Sequence, residues 1–160
     1  MGVLLPLSLD EQILEETMKL RTGDPWMSGK EYGQSLHGLT VNILVADIET
    51  ALAFQRDVLG VDIVYSDPDF AVCSGYGSEW MLHADHAFDN HPMGSRVNLA
   101  QLRGAGIELR LHGCNPDKAE AAARRFGFQV LSPSADKGHG LREVHICDND
   151  GYVWVPDFPI

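Results

Sequence analysis

Hydrophobic and polar positions change period along this chain in a fixed order. From Leu39, "LTVNILVAD" alternates apolar and polar as a half-buried strand does, "IETALAFQRDVL" spaces its apolar residues as a helix does, and "VDIVYS" alternates again. Asp47 stands where an N-cap is needed and Gly60 where the helix must close. The same order returns later. "GIELRLHGCN" alternates, Asn115 caps a helix with Pro116 at its first position, "DKAEAAARRF" continues it, Gly127 closes it, and "FQVLS" is again a strand. A hairpin follows each half: "FAVCSGYGSEWMLHAD" turns at Gly75 to Gly77, and "LREVHICDNDGYVWVPD" turns at Asn149 to Gly151. The expected fold class is therefore α+β, built from two βαβββ modules, the first over 39–98 and the second over 99–160.

Ahead of this domain, which is expected to span 37–160, "SLDEQILEETMKLRTGDP" places Ser8 and Glu11 at capping-box spacing. It keeps Leu9, Ile13, Leu14 and Met18 on one side and stops at Gly23 and Pro25, which predicts an amphipathic helix. "WMSGKEYGQSLHG" then reads as a polar, Gly-rich connector. Residues 1–36 are thus an N-terminal helical extension whose apolar stripe must dock on this chain or on a partner subunit.

Alternation splits each strand into two faces. Val41, Ile43 and Val45 oppose Thr40, Asn42 and Leu44, and Ile107, Leu109 and Leu111 oppose Glu108, Arg110 and His112. In the hairpins Trp80, Leu82 and Ala84 oppose Glu79, Met81, His83 and Asp85, while Val144 and Ile146 oppose Glu143, His145 and Cys147. The apolar faces must pack on the two helices. The mixed faces either meet water or line a cavity, and sheets that curl toward each other would bring Glu108, Arg110, His83 and His145 into one cleft. The segment "EWMLHADHAFDNHP" carries three of the seven histidines, yet only His83 falls on the cleft face; His86 points oppositely and His91 lies beyond the strand in a loop. His139 sits in the Gly-rich "KGHGLRE", a loop able to close over a ligand.

Composition narrows the partners. A net charge of −11 argues against nucleic acid and anionic membranes, which need concentrated Lys and Arg. Three cysteines, Cys73, Cys114 and Cys147, without a CxxC pair suggest neither a disulfide framework nor a zinc knuckle, and a reducing cytoplasm is the expected location. The opening "MGVLLPLSLD" lacks a basic leader region and meets Asp10 too soon for a membrane span, so no export or membrane segment is expected.

The stretches "NILVADIETALAFQRDVLGVDIVYSDPDFAV" and "GFQVLSPSADKGHGLREVHICDNDGYVWVPD", with the duplication itself, resemble the vicinal oxygen chelate superfamily, also called the glyoxalase, bleomycin-resistance and dioxygenase fold, from Leu39 to Phe158. The resemblance implies a cupped eight-stranded sheet, usually completed by dimerisation, so a homodimer is expected. In metal-dependent members it implies ligands at places that fall here on Thr40, Met81, Glu108 and Val155, of which Glu108 alone is a ligand type. A displaced site from Glu108, His83 and His145, holding one divalent transition metal (Zn, Ni, Mn or Fe), is one alternative; a metal-free site is the other. Gln55 stands where the family commonly has an aromatic residue.

Two functions remain open on these residues. One is a lyase- or isomerase-type enzyme on a small polar organic molecule, with Glu108 and His83 catalytic and Arg110, Asn42, His139 and His145 binding substrate. The other is a metal-free protein of the bleomycin-resistance type that sequesters a small molecule. Proton transfer needs His83 and Glu108 close together; sequestration needs an open, aromatic-lined groove at a dimer interface. Ring-cleaving dioxygenation wants two histidines and a carboxylate around iron at places this chain does not fill.

Overall fold

The computed structural model describes residues 19–99 and 103–160; the helix expected around Ser8 to Met18 lies outside the described residues. The elements are α1 (Gly29–Ser35), β1 (Asn42–Val45), α2 (Ile48–Asp57), β2 (Asp62–Ser66), β3 (Phe70–Gly75), β4 (Ser78–Ala84), a 3₁₀ turn (Asp85–Phe88), α3 (Pro92–Leu99), β5 (Glu108–His112), α4 (Pro116–Phe126), β6 (Gln129–Asp136), β7 (Leu141–Cys147) and β8 (Val153–Pro159).

Local chemistry sets the boundaries where the pattern places them. Asp47 accepts from the Thr50 amide and Asn115 from the Lys118 amide, each satisfying one free N–H of the helix it starts. Gly127 closes α4 in the left-handed region, donating back to carbonyls of the last turn. At the first hairpin Tyr76 and Gly77 both have positive φ, the geometry of a two-residue turn whose twist matches its strands.

The eight strands form two four-stranded sheets, ordered β1-β4-β3-β2 and β5-β8-β7-β6. The outer pairs β1–β4 and β5–β8 are parallel and the others antiparallel, so the two units share one topology. Helix α2 packs on the first sheet and α4 on the second. One core runs through both. Phe54, fully buried, meets Phe128 at 4.9 Å and Trp154 at 6.3 Å between ring centroids, and Trp80 meets Trp154 at 5.5 Å. A Phe buried in this way contributes about 2–3 kcal/mol of transfer free energy. Gln55, buried among these rings, accepts the Trp80 indole N–H at 3.1 Å, which explains a polar residue in the core.

Three expectations change. The connector is not simply polar coil: Ser28 and Glu31 form a reciprocal capping box that starts α1. Leu44, assigned to the mixed face, is buried, because the Tyr152 hydroxyl and the Arg103 guanidinium both close on its carbonyl. Ile107, assigned to the apolar face, is exposed just before the edge strand β5 begins.

Candidate functional site

Strand register places the site. On β4, His83 stands beside Leu44 of β1 and opposite Phe70 of β3, with Asn42 diagonally adjacent. On β8, Asp157 stands beside His112 of β5 and opposite Glu143 of β7, with Arg110 diagonally adjacent. Three residues earlier on each strand is a tryptophan, Trp80 or Trp154, facing the core. The same three sheet positions therefore hold Asn42, Phe70 and His83 in the first unit and Arg110, Glu143 and Asp157 in the second.

The second set is held by charge. Arg110 reaches Asp157 at 3.0 Å, Glu143 at 2.5 Å and Glu108 at 3.2 Å. His112 Nδ1 lies 2.6 Å from the fully buried Asp157, His139 Nε2 3.0 Å from Glu143, and His145 Nε2 3.1 Å from Glu108. Burial works to raise the Glu143 carboxyl, but Arg110 and His139 outweigh it and hold it below the usual range. Nδ1 of His145 is buried without a hydrogen-bond partner among the described residues.

The first set is held by rings and roofed by the chain. Phe70 meets His83 at 4.6 Å, and Phe88 of the 3₁₀ turn meets it edge-on at 5.3 Å. Residues 19–36 cross this face: Tyr32 of α1 packs on Phe70 and donates its hydroxyl to Glu79, and Trp26 stacks on Tyr65 at 4.5 Å. Asp69 pins the roof by accepting from the Leu20 and Arg21 amides at 2.7 and 3.1 Å, while His86 contacts the same carboxylate at 2.7 Å. Beneath the roof is a cavity of about 440 Å³, lined by Trp26, Met27, Tyr32, Leu36, Phe70, Met81, His83 and Phe88, with Lys19, Arg21 and Asp69 among the polar lining residues. Its size and aromatic character are those of a small-molecule pocket.

His83 is the polar centre of that cavity. Its Nδ1 lies 2.6 Å from Asn42 Oδ1. An amide oxygen can only accept, so Nδ1 carries the proton of the neutral ring and Nε2 keeps its lone pair. Burial pushes the imidazole down to about 4, against a smaller upward pull from Asp67. The ring is neutral throughout the physiological range.

The candidates thus separate into two groups. Glu108, Arg110, His139 and His145 are linked in the second unit, whereas His83 bonds to Asn42 in the first. His86 and His91 serve the first unit's surroundings, on Asp69 and Phe88 respectively. Three of the four family ligand places do not fit a metal: Val155 is fully buried hydrocarbon, Met81 lines the aromatic cavity, and Glu108 is engaged by Arg110 and His145. Among the described residues no three His, Cys, Asp or Glu side chains are grouped to hold an ion. The pattern of alternation did not reveal Trp26, Tyr32, Phe70 and Phe88 as one aromatic wall, because the four come from three separate segments.

No protein-family model and no curated protein sequence matches the chain. Solved structures do. A glyoxalase/bleomycin resistance protein/dioxygenase family enzyme from Burkholderia phytofirmans PsJN is 16% identical, with a TM-score of 0.64 over 76% of this chain and 97% of that one. A glyoxalase-related enzyme from Fulvimarina pelagi is 19% identical, with a TM-score of 0.60 over 77% and 88%. A glyoxalase/bleomycin resistance protein/dioxygenase from Nocardioides is 18% identical, with a TM-score of 0.57 over 94% and 93%. The chain has the fold of the glyoxalase, bleomycin-resistance and dioxygenase proteins. At these identities the likeness is one of fold, and function rests on the site. No helix among the described residues is long and apolar enough to cross a membrane.

Proposed function

We propose that this protein binds a small, largely apolar organic molecule in the roofed cavity of its first unit and that its function is sequestration or carriage of that molecule. The observation that carries this reading is the cavity itself: about 440 Å³, walled by Trp26, Tyr32, Phe70 and Phe88, with one neutral imidazole among them. Aromatic walls supply apolar area at low entropic cost, and a single polar group orients the guest.

Proton transfer has less support. A general base works best with a pKa near the operating pH, and an imidazole depressed to about 4 is a weak one. Glu108, the other candidate, is already engaged by Arg110 and His145 and belongs to the other group. The test is calorimetric titration of the full chain with one- and two-ring aromatic compounds, alongside Phe88→Ala and Met81→Trp. Binding to wild type, weakened when the wall is cut back and abolished when the cavity is filled, supports the reading. Undiminished binding in Met81→Trp puts the ligand elsewhere and overturns it.

A further inference from the structure

Resting on that reading, we infer that the ligand is a planar aromatic acid that also carries a hydrogen-bond donor such as a phenolic hydroxyl, the donor on His83 Nε2 and the acidic group toward Lys19 and Arg21.

Shape comes from the rings. Ring contacts run without a break from Tyr65 through Trp26, Tyr32, Phe70 and His83 to Phe88, each within 6 Å between centroids. A curved wall of this kind offers faces and edges to a flat guest.

The donor requirement comes from the tautomer. Asn42 Oδ1 accepts the hydrogen bond of Nδ1–H, so Nε2 keeps its lone pair and a guest must bring the hydrogen. A guest without one leaves a partly desolvated acceptor unpaired, which is a cost.

The acidic group comes from the charge of the lining. The chain carries −11, yet the charged residues around this cavity are Lys19, Arg21 and Asp69. Asp69 is already committed to two backbone amides and His86. Arg21 lies 3.5 Å from Asp67, and Lys19 makes no ion pair among the described residues. The uncommitted charge left for a guest is therefore that of Lys19, with Arg21 shared with Asp67. Aromatic cages also suit quaternary ammonium ions, but the unpaired Lys19 in the lining opposes one here.

The experiment titrates the full chain with hydroxynaphthoate, with naphthoate lacking the donor, with naphthol lacking the acid, and with benzyltrimethylammonium. The expected order places hydroxynaphthoate about three- to tenfold tighter than naphthoate, the factor one net hydrogen bond contributes. Naphthol falls below hydroxynaphthoate, and the ammonium ion binds least. His83→Phe should remove the preference for the hydroxyl while keeping aromatic binding, and the double change Lys19→Ala, Arg21→Ala should remove the preference for the acid. Equal affinity for hydroxynaphthoate and naphthoate, naphthol binding as well as the acid, or preference for the ammonium ion each overturns the ligand class while leaving an aromatic pocket in place. Binding of none of the four overturns both the ligand class and the function from which it follows.

Discussion

Asn42 Oδ1 lies 2.6 Å from His83 Nδ1, across the parallel pair β1–β4, and this one bond sets which imidazole nitrogen carries the proton. Replacing the neutral acceptor by an anionic one tests it. In Asn42→Asp a carboxylate beside the ring favours the imidazolium, so the His83 titration should move upward by at least about one unit. Proton NMR of the imidazole in wild type should show its midpoint near about 4. An unchanged midpoint in Asn42→Asp would mean that residue 42 does not set the state of the ring.

His83 also ties stability to pH. Its pKa falls from 6.5 unfolded to about 4 folded, so between those values the unfolded chain binds more protons. Stability from the neutral ring is therefore full above the unfolded value and is lost as pH falls toward the folded one. The loss is of the order of 2–3 kcal/mol. Urea denaturation of wild type and His83→Phe across this window measures it as the difference between their slopes. Parallel curves would contradict it.

The core carries a polar bond that should behave as a unit. Gln55→Leu removes the acceptor of the Trp80 indole N–H and leaves a buried donor unpaired, costing about 1–3 kcal/mol. Trp80→Phe in the same background removes that donor, so the double variant should lose less than the sum of the singles. Strict additivity in chemical denaturation would show that the two side chains do not interact.

Asp69 is predicted to hold the roof. Asp69→Ala removes the acceptor of the Leu20 and Arg21 amides and the partner of His86. Amide exchange at Leu20 and Arg21 should accelerate strongly while that of β6–β8 stays as in wild type. Unchanged protection at those two amides would show that other contacts secure the segment.

In the second unit, Arg110→Met should destabilise by about 3–5 kcal/mol, because it leaves buried carboxylates without their cation. Asp157 has no exposed surface and Glu143 little. The loss should shrink in acid, where protonation of Glu143 removes the uncompensated charge, so the variant's deficit narrows as pH falls. Aromatic binding in the first unit should be unaffected. A deficit that is small at neutral pH, measured by thermal and urea unfolding, would mean that the carboxylates are solvated rather than held by Arg110.

The duplicated units, their caps and both hairpins were legible in the sequence because each depends on residues close along the chain: Asp47 on Thr50, Asn115 on Lys118, and a two-residue turn at Tyr76 and Gly77. The helix α1 was missed: the glycines around it read as connector, although Ser28 and Glu31 stand at capping-box spacing. The site was legible in part. Alternation placed His83 and Asn42 on the mixed face, and Glu108, Arg110 and His145 on theirs, but it carried no distance between the two groups.

The sequence alone determined the α+β duplication, the faces of each strand and the kinds of side chain available, because periodicity and capping are local. Only the tertiary structure decided that one set of sheet positions holds Asn42, Phe70 and His83 and the equivalent set Arg110, Glu143 and Asp157, and that residues 19–36 roof the first. Strand register and the docking of a distant segment depend on contacts between residues tens of positions apart. Those contacts close the aromatic wall around His83 and give it Asn42, not Glu108, as its hydrogen-bond partner.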